Sequence, residues 1–61
     1  MTLKRLLQYI KEDKINIICV HEHTTYTDLS PHICFCHFKY LLKCKVEQIY
    51  IDNNVLTIQI F

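Results

Sequence analysis

The stretch HICFCH, His32 to His37, holds two cysteines and two histidines in six positions, and a second such run, CVHEH, ends at His23. Thiolates and imidazoles are the side chains that grip zinc, and with Cys44 these runs supply more donors than a tetrahedral site takes. Cys19, His21 and His23 alternate and would share one strand face, while His32 and Cys36 stand one helical turn apart. These five are the candidate ligands of a small zinc-stabilised structural or interaction module. Their spacings, C-x-H-x-H and H-x-C-x-C-H, are not the C-x₂-C pairs from which a zinc knuckle is predictable. The competing reading makes Cys19 and Cys34 small buried hydrophobes and leaves the histidines on surface loops. It is preferred, because free cysteine is among the most commonly buried residue types. No cofactor is assigned, and zinc stands as the alternative.

The same residues could form a thiol nucleophile, Cys36 or Cys44, with His37 or His32 as its base. A dyad also needs a cleft and oxyanion donors, for which 61 residues without a glycine have little material. Absence of glycine also excludes the Walker-type and dinucleotide phosphate loops. Glu12 and Asp13 read as the solvated end of a helix, so the chain is read as having no catalytic residues and as no enzyme. Among the aromatics, Tyr26 and Tyr40, with the cations Arg5, Lys39 and Lys43, form a candidate ligand-binding set, since rings stack on bases and cations meet phosphate. Phe35 and Phe38 are assigned to the core.

The elements that position these residues follow from periodicity. Thr2 can cap a helix over residues 3 to 12 whose apolar positions Leu3, Leu6, Leu7 and Ile10 follow the i, i+3, i+4, i+7 rule. KINIICV reads as a strand with Ile15, Ile17 and Cys19 on one face and Ile18 and Val20 on the other. EHTTYTDLS mixes strand formers with turn residues, so Thr24 to Thr27 is a short strand or a crossing loop. SPHICFCHFKYLLKCK fits either a strand or a helix. Ser30 at an N-cap followed by Pro31 at the first helical position decides for a helix from Pro31 to about Lys43. Its stripe is Cys34, Phe35, Phe38, Leu41 and Leu42; Cys34 and Cys36 then point roughly 200° apart and cannot grip one ion together.

The last stretch, VEQIYIDNNVLTIQIF, reads as an antiparallel hairpin. A two-residue Asn53–Asn54 turn pairs Ile51 with Leu56 and Ile49 with Ile58, keeping all four on one face. Tyr50, Val55, Thr57 and Phe61 take the other face. The expected fold is therefore α+β, one compact domain over residues 1–61. Its order is helix, strand, short crossing segment, second helix and C-terminal hairpin, with both helices on one face of a small sheet.

A chain this short buries only about 60% of its unfolded surface. With 51% hydrophobic and 21% charged residues, apolar surface is left over for a second copy or another protein to cover. Ile18, Val20, Tyr50 and Val55, on the sheet face away from the helices, are the expected oligomer or partner interface. Net charge is +1 with both signs interspersed, which disfavours nucleic acid. The opening MTLKRLLQYIKEDK is too often charged for a signal peptide or a membrane span. A cytoplasmic location in a bacterial host follows as the expectation, with the cysteines reduced.

MTLKRLLQYI, INIICV and LLKCKVEQIYIDNNVLTIQIF resemble small accessory proteins of phages and mobile elements of Firmicutes. The resemblance implies a compact α+β fold and brings no catalytic residues with it. Accessory proteins of this size commonly act by stoichiometric binding. The function expected is that of a non-catalytic binding protein with a counter-defence role, which inhibits a host protein or sequesters a nucleotide signal. The middle, HICFCHFKY, departs from the acidic and polar character of that group.

Overall fold

The computed structural model describes residues 1–61. Two short helices lie on one face of a four-stranded sheet, the α+β architecture expected. The elements are α1 (Leu3–Leu7), β1 (Ile15–Cys19), β2 (Thr24–Leu29), α2 (Pro31–His37), a 3₁₀ turn (Lys39–Leu41), β3 (Val46–Asp52) and β4 (Val55–Ile60). Strand order is β2-β1-β4-β3. The two central strands, β1 and β4, run parallel, with Ile15 opposite Leu56, Ile17 opposite Ile58 and Cys19 opposite Ile60.

Local chemistry sets the boundaries. The Thr2 hydroxyl accepts the Arg5 N–H at 3.4 Å and opens α1. Ser30 does the same for α2, accepting the Ile33 N–H at 3.1 Å with Pro31 in the first turn. Asn53 and Asn54, at φ of 51° and 64°, form the two-residue turn between β3 and β4. Positive φ at both positions marks a type I′ turn, which asparagine tolerates. The turn sets Ile51 against Leu56 and Ile49 against Ile58.

Three boundaries differ from the sequence reading. The crossing segment is a full strand, β2, hairpinned to β1 through Val20–His23; Thr24, Thr25 and Tyr26 pair with Cys19, Ile18 and Ile17. Its turn residues are accommodated by a bulge, where Asp28 at φ 56° absorbs the extra residue. Helix α1 stops at Leu7, and Ile10 packs against the core from non-helical chain. The first two amides of α1, those of Leu3 and Lys4, donate to the Cys44 and Leu42 carbonyls, so tertiary contacts anchor this turn rather than length.

The second helix ends at His37, and Phe38 leaves helical space at φ −124°, ψ 43°. In an unbroken helix Phe38 and Tyr40 would point roughly 200° apart. The break places their rings 6.2 Å apart and sets Phe38 edge-on to Tyr26 at 5.3 Å. Aromatic packing across the fold thus competes with a run of Cys, His and Phe that has little helix propensity to defend it.

The core joins Leu3 and Leu7 from α1, Ile15, Ile17 and Cys19 from β1, and Leu29 from β2. Cys34, Leu41, Ile58 and Ile60 complete it. Thr57 is the one buried polar residue, and its hydroxyl donates to the Val55 carbonyl at 3.2 Å. No buried side-chain polar atom lacks a partner.

Candidate functional site

A cleft of about 310 Å³ opens where the parallel strands β1 and β4 end, remote along the strands from the Asn53–Asn54 turn. Its floor is Cys19, the last residue of β1, with Leu41 and Cys44 beside it. One wall is the turn after β1, which carries His21 and Glu22; Tyr40 and Phe61 complete the rim. The Phe61 amide donates to the Lys45 carbonyl at 3.0 Å, and its ring meets the His21 ring edge-on at 5.7 Å. Tyr40 is held by its hydroxyl, 3.0 Å from that of Tyr26.

Burial pushes the Cys44 thiol up, Cys19 and Glu22 add to the rise, and Lys43 opposes it. Burial alone raises Cys34. Both thiols are thus held in their protonated, weakly nucleophilic form. Glu22 is the one acidic side chain lining the cleft, and no lysine or arginine lines it. The cleft is at the small end of ligand-site volumes and mostly apolar, so it suits an aliphatic or aromatic side chain better than a phosphate.

The candidate zinc ligands do not assemble. His32 Nε2 and Cys36 Sγ are 3.7 Å apart on the exposed side of α2, as one helical turn demands. Cys19 and His21 line the cleft, and His23 ends the β1–β2 turn at φ 55°. No group of three or more His, Cys, Asp or Glu side chains is arranged to hold a metal ion. All four cysteines are free, Cys34 inside and Cys36 outside.

In the candidate ligand set, Tyr26 and Tyr40 meet, and the hydrogen bond between them pushes the Tyr26 hydroxyl up to about 12. Only Tyr40 of that set reaches the cleft, while Arg5, Lys39 and Lys43 are exposed to water. In the expected interface set, Ile18, Tyr50 and Val55 share the sheet face away from the helices, each half-buried. Val20, also half-buried, lies in the turn just past β1.

The sequence reading missed Glu22, Leu41 and Phe61 as cleft residues. Alternation assigns Phe61 to the outer face, but β4 stops at Ile60 and frees Phe61 to fold across the strand ends. No pattern in the hydrophobic residues signals that turn. No family model, curated protein or solved structure matches the chain.

Proposed function

We propose that this chain is a non-catalytic binding protein of a phage or mobile element, with a counter-defence role, that acts by occupying a host protein. The phage origin rests on the resemblance in the opening, strand and hairpin segments. The observation that carries the binding mode is the cleft: apolar, rimmed by Tyr40 and Phe61, with Glu22 as its one acidic side chain and no lysine or arginine. A nucleotide signal would bring its phosphates against that carboxylate, whereas a protein can insert an apolar side chain and offer a cation to Glu22. Of the two targets, host protein is therefore favoured over nucleotide. No helix is long and apolar enough to cross a membrane.

The test compares proteins retained from host lysate by the wild-type chain and by Phe61→Ala and Glu22→Lys variants. One host protein held by the wild type and lost from both variants is expected. A panel of cyclic and ADP-ribose-like nucleotides should leave the melting temperature unchanged. A nucleotide-induced rise, with no cleft-dependent capture, would replace protein occupation by nucleotide sequestration.

A further inference from the structure

The most exposed aliphatic side chains of the sheet are neither in the cleft nor on the outer face. They are Ile51 and Ile49 of β3, 65% and 45% exposed. Both lie on the helix side of the sheet, opposite Leu56 and Ile58, beyond the cover of the two short helices. Strand β3 is also a sheet edge. In a two-residue hairpin the closing pair, here Asp52 with Val55, exchanges both backbone bonds, and pairs alternate from there. Tyr50 and Gln48 therefore bond inward to β4, and the N–H and C=O groups of Ile49 and Ile51 face outward. None of the turn, loop or cap bonds of the fold reaches them.

The other edge is protected. In β2 the bulge at Asp28 interrupts the ladder, and Lys14 pairs with Asp28 at 3.8 Å and sets charge beside it. Edge β3 also carries a bulge, between Val46 and Gln48, but its regular stretch Gln48–Asp52 has no such protection. Only its start is covered, where Thr2 bridges Lys45 and the Val46 amide donates to the Met1 carbonyl at 2.9 Å.

We propose that β3 pairs antiparallel with β3 of a second copy, about a two-fold axis at Tyr50. The N-terminal cover and the bulge between Val46 and Gln48 on one side, and the turn after Asp52 on the other, delimit the regular free edge Gln48–Asp52, whose midpoint is Tyr50. That register sets Ile49 opposite Ile51 of the second copy and Ile51 opposite its Ile49. Both are bonded pairs, and the four isoleucines gather on one face. Tyr50 meets its own symmetry mate in the close, non-bonded position on the other face. Charge complementarity favours the same register: Asp52 faces the amide of Gln48, Glu47 is turned to the Gln59 side-chain amide of its own chain at 3.1 Å, and no two acids oppose. A self-complementary patch of this kind closes as a dimer and leaves no β3 edge free.

Light scattering and cross-linking test the pairing. At micromolar concentration the wild-type chain should show twice the mass of one chain. Ile51→Lys, with an unchanged circular dichroism spectrum, should show the mass of one. In a Cys36→Ser background, Tyr50→Cys should form a disulfide-linked dimer under mild oxidation, because close non-bonded pairs bring Cβ atoms within disulfide reach. Gln48→Cys in that background should remain unlinked. A wild-type chain that scatters as a monomer, a dimer that survives Ile51→Lys, or equal cross-linking at the two positions would each overturn the proposal. None of these results bears on capture at the cleft.

Discussion

Tyr26 and Tyr40, fourteen positions apart in the chain, meet hydroxyl to hydroxyl at 3.0 Å, with Phe38 packed against both rings. The contact ties β2 to the 3₁₀ turn after α2, and so fixes the side of the cleft on which Tyr40 stands. The broken helix, the aromatic group and the cleft rim are one arrangement.

That contact has a titration signature. Tyr26 is pushed up to about 12, first by its hydrogen bond with Tyr40 and then by burial. A folded-state pKa raised above the unfolded one stabilises the fold below the unfolded value of 10.0, and that stabilisation is lost as pH rises towards 12. Near-ultraviolet absorbance of the wild type should show one tyrosine ionising well above the others. Tyr40→Phe should bring it down towards the ordinary range, leaving the part due to burial, with a stability loss at neutral pH below about 1 kcal/mol, since both hydroxyls are near water.

Cys34 and Cys36 should respond in opposite ways to the same substitution. Cys34 has no exposed surface, so Cys34→Ser buries a hydroxyl and should cost about 1–3 kcal/mol in urea unfolding. Cys36→Ser, on the exposed side of α2, should stay within about 0.5 kcal/mol of wild type. Burial raises the Cys34 thiol from its ordinary 9.0. Its contribution is complete below that value and declines as pH rises through the folded pKa, a decline that Cys34→Val should reduce.

Much of this arrangement was legible where short-range chemistry decides it. Ser30 and Pro31 start α2 by satisfying or removing orphan amides, and the stripe Cys34, Phe35, Phe38, Leu41 and Leu42 does join the core despite the break. The hairpin register followed from Asn53–Asn54 and a period of two. Illegible were features made by partners distant in sequence. Parallel pairing of β1 with β4 leaves no local mark, and the break at Phe38 depends on Tyr26. Alternation also says which face Ile49 and Ile51 occupy but not whether a helix reaches them. With helices of five and seven residues, none does.

Metal removal offers a third prediction. His32 and Cys36 are a two-donor pair, and Cys19, His21 and His23 are placed at the cleft and its turn. Two donors hold zinc far more weakly than the four of a structural site, whose binding energy is part of the folding energy. Chelator should therefore leave the melting temperature unchanged, and elemental analysis of protein purified without added metal should find zinc well below one atom per chain. Near-stoichiometric zinc, lost together with the fold, would instead require His32 and Cys36 to recruit ligands from elsewhere.

The turn at Asn53 and Asn54 gives a prediction in which the sign reverses with the residue chosen. Both positions have positive φ, at which a β-carbon crowds the following carbonyl; asparagine reduces that cost and glycine abolishes it. Asn54→Gly keeps the preferred Asn-Gly pair of a type I′ turn and should leave the midpoint of thermal unfolding equal or higher. Asn53→Val places a β-branched residue at φ 51° and should cost about 1–2 kcal/mol, the penalty for left-handed backbone. The loss should appear as a lower thermal midpoint and as faster amide exchange along β3 and β4, because the turn helps to keep Ile51 opposite Leu56 and Ile49 opposite Ile58 rather than one residue out of step. Equal midpoints for Asn53→Val and wild type would mean that the far end of the hairpin, where the Phe61 amide meets the Lys45 carbonyl and Gln59 meets Glu47, and not the turn, holds the register.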